Sequence, residues 1–190
     1  VDTGSHYRII CYHLIQKFIQ PEDSPALLAA LDTFKVNTTV KENSVLFEID
    51  ETPIKSDDLR SYTVNTLVSQ FASLKPVRDF LLRYQRSLAN FALKNHFKGM
   101  IAEGRDIGSV VFPEATLKIF LEADASTRIA RRENEGHTDV INERDAIDAN
   151  RKLSPLTCPE DALSINTSRL SLDEVVSIIL KEIAKRDESK

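Results

Sequence analysis

The chain has 190 residues, 42% hydrophobic and 28% charged, with a formal net charge of -4. That length and balance fit a soluble globular domain with its own core and exclude a disordered or fibrous chain. The acidic balance argues against a nucleic-acid partner, which calls for a strongly basic face, but leaves a small anionic substrate open, because a local arginine cluster works inside an acidic protein. Cys11 and Cys158 lie far apart with no partner at metal-ligand spacing. A zinc site or disulfide framework is therefore not expected, and a reduced, cytoplasmic compartment is. No apolar run approaches the roughly 20 residues of a membrane helix. The first residue is Val1 and the single methionine is Met100, which reads as a processed, trimmed or partial chain.

In chain order, Asp2-Thr3-Gly4 predicts a turn leading into Ile9, Ile10, Leu14, Ile15 and Phe18 at helical spacing. Ser24-Pro25 predicts a helix start, with serine as the cap and proline at the first helical position. Between residues 33 and 55, Val36 to Val40, Val45 to Ile49 and Thr52-Pro53-Ile54 are short strand-like runs broken by polar residues, and they predict a small antiparallel insertion. Helices resume near Ser56. From Pro76 a long one is expected, with Val77, Phe80, Leu81, Tyr84, Leu88, Phe91 and Ala92 on one face. Gly99 to Glu103 and Leu117 to Leu121 have the form of parallel strands buried on both faces, and Ala162 to Ile165 is a weaker third. Ser171 and Glu174 spell a capping box for a final helix whose Leu172, Val175, Val176, Ile179 and Ile183 are expected to face inward. Strands alternating with helices give an α/β domain with a parallel sheet.

The strongest chemical signal is Glu103-Gly104-Arg105-Asp106-Ile107-Gly108, where a glycine turn after a strand presents Arg105 and Asp106 side by side. Ligands of open α/β sheets sit at the carboxyl ends of strands. Arg144, Asp148 and Arg151 fall on one helical face, a spacing that serves either a solvated ion-pair ladder or a helix folding over a phosphate. Arginine suits phosphate because its planar fork donates two bonds at once. On the residues alone the two readings of that stripe stay open.

Longer motifs carry a resemblance. Asp2-Thr3-Gly4-x-x-Tyr7-Arg8, then Ser69-Gln70, Pro76-Val77-Arg78 and Gln85-Arg86, then Gly104 to Pro113, Lys118 to Leu121, Arg131-Arg132 and Glu143-Arg144-Asp145-x-x-Asp148-x-x-Arg151 resemble, in order, the motifs of bacterial cytidylate kinases. The resemblance spans roughly residues 1–184. It implies a parallel-sheet P-loop kinase fold, with a core of 1–32, 56–132 and 152–190, a β insertion at 33–55 that belongs to the CMP-binding region, and a lid at 133–151.

It also implies roles. Ser69, Arg78 and Asp106 would contact the cytosine, with Thr3 close by; Arg8, Arg105 and Arg151 would hold the monophosphate; Arg144 and Asp148 would reach the ribose and the transferring group; and Arg131 would lie on the ATP side. The implied reaction is in-line transfer of the ATP γ-phosphoryl to CMP or dCMP with Mg2+ bridging the donor phosphates, by a monomer, without a metal site of its own.

One departure stands out. The family carries a G-x-x-x-x-G-K-[ST] loop before the D-[ST]-G segment, and none of the glycines at 4, 99, 104, 108 and 136 begins such a run. The backbone cradle for the donor phosphates is therefore not spelled in these 190 residues. The expectation that follows is an N-terminally truncated fragment that, alone, neither folds stably nor transfers phosphate. A degenerate homologue that only binds nucleotide, or another nucleoside monophosphate kinase, are the alternatives.

Overall fold

The computed structural model describes residues 1–41, 44–51, 54–134 and 156–187. Helix α1 (Thr3–Gln16) begins directly at the Asp-Thr-Gly segment, because the Asp2 carboxylate caps it and accepts from the Ser5 amide at 3.1 Å. The expected turn is thus the helix start itself. Its other end closes with Ile19 N–H donating to the Leu14 carbonyl at 3.0 Å and Phe18 N–H to Ile15 at 2.9 Å. This two-bond closure normally places glycine where Phe18 stands, at φ 57° and 90% exposed. In α2 (Ser24–Thr33) the cap is Asp23 rather than Ser24, which moves Pro25 one position into the first turn.

β1 (Val36–Lys41) and β2 (Ser44–Ile49) pair antiparallel, with Val36 opposite Ile49 and Lys41 opposite Ser44. Of the third expected strand piece, Thr52 and Pro53 lie outside the described residues, and Ile54 is in no strand. The hairpin docks through Phe47 and Ile49, both buried. Phe47 meets the His6 ring at 4.9 Å and the Tyr84 ring at 4.6 Å, and the Tyr84 hydroxyl lies 3.1 Å from that of Thr38. A short α3 (Ser56–Leu59) leads to α4 (Tyr62–Ser73), capped by Ser61, and to α5 (Lys75–Lys94). The inward face of α5 is Val77, Arg78, Leu81, Gln85 and Leu88, while Phe80, Tyr84, Phe91 and Ala92 flank it half-buried. Ile10, Leu14, Leu27, Ile49, Val64, Phe71, Val77 and Leu81 form one core between the hairpin and α1, α2, α4 and α5.

The second half of the chain departs from expectation. Gly99 to Glu103 forms no regular strand; Glu103 alone makes a parallel bridge to Asp2, with its N–H on the Val1 carbonyl at 2.9 Å, and Ile101 is 83% exposed. β3 (Ile119–Glu122) and β4 (Leu163–Asn166) do pair in parallel, Ile119 opposite Leu163, with α6 (Ala125–Asn134) after β3. Of these strand residues only Ile165 is buried, and Leu121 is largely exposed. Among the described residues little packs over the faces of this ladder, so its apolar side chains keep solvent contact. α7 (Leu172–Asp187) carries the capping box: Ser171 N–H donates to the Glu174 carboxylate at 2.8 Å and Glu174 N–H to the Ser171 hydroxyl at 3.3 Å. Its expected inward stripe is reduced to buried Val175 and half-buried Ile179, since Leu172, Val176 and Ile183 are exposed. Among the described residues no helix is long and apolar enough to cross a membrane.

Two stability predictions follow from this packing. Leu81→Ala, at a fully buried position, is expected to cost about 2–5 kcal/mol, whereas Phe18→Gly should gain about 1 kcal/mol by removing a left-handed bulky residue; denaturant midpoints measure both. The second concerns His6, which is 2% exposed. Burial pushes its pKa down from 6.5 to about 4, against a smaller upward pull from Asp2. The unfolded chain then binds the extra proton, so this contribution to stability is complete above pH 6.5 and is lost as pH falls from 6.5 toward 4. The loss is about 2–3 kcal/mol over that window. His6→Phe should flatten that part of the stability–pH profile.

Candidate functional site

Residues separated by up to a hundred positions meet where α1, α4, α5 and the Gly104–Pro113 segment converge. That segment passes through Asp106 into a π-helical turn, Ile107–Val111. Asp106 is 5% exposed and its carboxylate pairs with the guanidinium of Arg78, itself 7% exposed, which reaches it from the first turns of α5. The same guanidinium donates to the Ala72 carbonyl at 3.1 Å and lies 5.6 Å over the Tyr7 ring. A buried ion pair of this kind persists only when its further hydrogen bonds are met, which the α4 carbonyl and the aromatic face supply.

On the other side of the segment, the Thr3 hydroxyl donates to the Glu103 carbonyl at 2.7 Å and Thr3 N–H to the same oxygen at 3.1 Å. The start of α1 is thereby stitched to the chain just before Arg105 and Asp106. Gly104 permits this approach, since a Cβ there would collide with the Thr3 hydroxyl and meet Ile107 at 3.0 Å. Arg8, buried one and a half turns into α1, donates to the Leu59 carbonyl at 2.9 Å and to Asn65 Oδ1 at 2.6 Å. Ser69 is half-buried on α4, and Arg105 is exposed beside Asp106. A small cavity of about 90 Å3 is lined by Tyr7, Lys75, Arg78, Asp79, Gln85 and Val110 among others. Gln85 is 2% exposed, and its amide nitrogen has no hydrogen-bond partner.

Not every expected residue joins this cluster. Arg131 directs both arms of its fork at Thr167, to the hydroxyl at 3.0 Å and the carbonyl at 2.7 Å, and so ties α6 to the chain after β4. Arg144, Asp148 and Arg151, and the lid beyond Asn134 up to residue 151, lie outside the described residues. Conversely, three contributors carried no assigned role in the sequence: the Tyr7 ring under Arg78, Asn65 holding Arg8, and Arg86 on the π-helical turn. Tyr7 and Arg86 stand inside the quoted motifs; Asn65 has no sequence signal.

Comparison with known proteins narrows what such a cluster belongs to. A sequence profile described as Cytidylate kinase matches residues 1–185. The chain belongs to the cytidylate kinase family. The cytidylate kinase of Fusobacterium nucleatum is 36% identical over 97% of this chain and 85% of its own length, and that of Lactiplantibacillus plantarum is 35% identical over the whole chain and 85% of its own length. A bifunctional pantoate ligase/cytidylate kinase of Prochlorococcus marinus is 34% identical, with 95% of this chain aligned to 36% of that larger protein. A mixed α/β chain with a small parallel sheet is consistent with the nucleotide-kinase fold of this family.

Gly104→Ala should push the Thr3 hydroxyl off the Glu103 carbonyl and destabilise the protein by about 1–3 kcal/mol. Adding Thr3→Ala makes room for the methyl group, so the double variant should lose clearly less than the sum of the two single losses in a thermal-melt cycle. Strict additivity would mean that Gly104 is not there to admit Thr3.

Proposed function

We propose that this chain supplies the CMP- or dCMP-binding part of a cytidylate kinase through the cluster around Asp106, the acceptor side of a reaction in which the γ-phosphoryl of ATP passes to the monophosphate. The observation that carries the reading is the buried Arg78–Asp106 pair, whose Arg78 also lines a cavity edged by Tyr7. A carboxylate held there accepts from the exocyclic amine of cytosine, and Arg78, with Ser69 from the neighbouring helix, donates to the acceptor edge of the base. Uracil presents a carbonyl in place of that amine. Its oxygen would face the Asp106 carboxylate acceptor to acceptor, and a buried group left without its partner costs on the order of 1–3 kcal/mol, more when charged.

Arg8, Arg105 and Arg151 are assigned to the monophosphate, and Arg144 and Asp148 to the ribose and the transferring group. Arg8 sits within the first turns of α1, and its partners Leu59 and Asn65 hold the guanidinium in place before any phosphate arrives. Transfer itself needs positioning and charge stabilisation rather than a covalent intermediate. Residues 133–151 are assigned the role of a lid that keeps water from the γ-phosphoryl. The hairpin of β1 and β2 is assigned to the monophosphate-binding region, where its Phe47 and Thr38 seat it on α1 and α5. No residue of this chain is assigned to Mg2+, which would enter with the donor phosphates.

Because no G-x-x-x-x-G-K-[ST] run is spelled in the sequence, acceptor binding is the direct test of this reading. Titration calorimetry should show CMP and dCMP binding at least tenfold tighter than UMP, AMP or dTMP. Asp106→Asn should remove most of the advantage of CMP over UMP. Equal binding of all five monophosphates, or an advantage of CMP over UMP that survives in the variant, would take Asp106 out of base recognition.

A further inference from the structure

The segment that presents Asp106 is held to α5 at two points rather than one. Arg78 takes the Asp106 carboxylate at its start. Arg86, two turns further along the same helix, takes its end: Arg86 Nε donates to the Val111 carbonyl at 3.0 Å and an Arg86 terminal nitrogen to the Val110 carbonyl at 2.9 Å. Between these points the chain is the π-helical turn, in which Val110 N–H and Val111 N–H both donate to the main-chain carbonyl of Asp106, at 2.9 and 3.2 Å, and Phe112 N–H donates to Ile107 at 2.7 Å. The last carbonyls of any helical turn have no following N–H to accept from. Here a planar guanidinium meets two of them with one rigid fork, which a lysine could not reproduce. Wide turns of this type are found at functional sites, where they re-aim a side chain.

We propose that Arg86 is a positioning residue for base recognition: it fixes the register of the π-helical turn and, through the two hydrogen bonds that end on the Asp106 carbonyl, the place of the Asp106 carboxylate. The proposal rests on the reading that Asp106 meets the nucleobase. It assigns to Arg86 a task that Arg78 cannot perform alone. When a cytosine amine and ring edge engage Asp106 and Arg78, those groups divide their bonds between each other and the base, and the tie at the start of the segment is weakened. The tie at its end involves no group offered to the base and stays in place. Arg86 therefore acts on the bound state more than on the resting fold, and since its side chain lies at the surface of α5, its removal opens no core cavity.

The test is calorimetric titration of CMP and UMP into wild-type protein, Arg86→Gln, Arg86→Lys, Asp106→Asn and the Arg86→Gln/Asp106→Asn pair, with a thermal melt of each. Arg86→Gln should weaken CMP binding at least tenfold and UMP binding less than threefold, with a melting temperature within a few degrees of wild type. Arg86→Lys should fall between the two, since it keeps the charge and loses the fork. In the Asp106→Asn background, Arg86→Gln should change CMP binding less than twofold, because the group it positions has already been altered. Amide hydrogen exchange at Val110, Val111 and Phe112 should quicken in Arg86→Gln. A CMP preference that survives Arg86→Gln, or a loss that is equally large with Asp106→Asn present, overturns the positioning role and leaves the base-recognition reading standing. Wild-type protein that does not prefer CMP over UMP overturns both. Should Arg86→Gln fail to fold, a folded Arg86→Lys with unchanged CMP preference and unchanged exchange overturns the proposal equally.

Discussion

A carboxylate at 5% exposure and a guanidinium at 7% exposure share one buried contact between α5 and the Gly104–Pro113 segment, and the arrangement around them follows from the need to keep both charges satisfied. Taking either ion out of water costs several kcal/mol, and removing one partner of such a pair strands the other at a penalty of about 3–5 kcal/mol. Arg78 meets this demand by spending its remaining donors on the Ala72 carbonyl and laying its plane over Tyr7. The consequence is geometric. The end of α4, the first turns of α5, the third residue pair of α1 and the loop at Gly104 must all be within a side chain's reach of one point, and they are.

That convergence is supported by two kinds of framework. Below it lies the apolar core of α1, α2, α4, α5 and the hairpin, with Leu14, Phe71, Val77 and Leu81 fully or almost fully buried. Around it run main-chain ties: Thr3 to Glu103 on one flank, Arg86 to Val110 and Val111 on the other. Polar groups at the site therefore rest on rigid elements as well as on one another, so that little reorganisation is left to them. Buried histidines occupy a different place in this scheme. His6 has an unpartnered ring nitrogen against Phe47 and Tyr84, and its depressed pKa makes it a neutral packing group that joins hairpin to core.

The two halves of the chain differ in how far they bury their apolar residues. The first half closes a core; the second leaves Ile101, Leu121, Leu172 and Leu180 more than half exposed around a two-stranded parallel ladder. Apolar side chains spaced for burial in the sequence are buried only where another layer stands over them, and periodicity alone does not say whether one does.

Local rules determined much of this protein from its residues: the hairpin pattern of Val36 to Ile49, the helix from Pro76, the Ser171–Glu174 capping box and the β3 and β4 segments all follow from spacing, cap chemistry and β-branched content within a few positions. The ordered motifs likewise marked Thr3, Arg8, Arg78 and Asp106 before any contact was known. Two things only the tertiary structure decided. Arg131 went to Thr167, since the α6–β4 junction offered a hydroxyl and a carbonyl in the geometry of its fork. Arg86 reached the Val110 carbonyl and Asn65 took the Arg8 guanidinium, contacts 24 and 57 positions apart. The physical reason is common to both: a polar side chain takes whichever partner the fold brings within about 3 Å, and sequence spacing speaks only for partners on the same element.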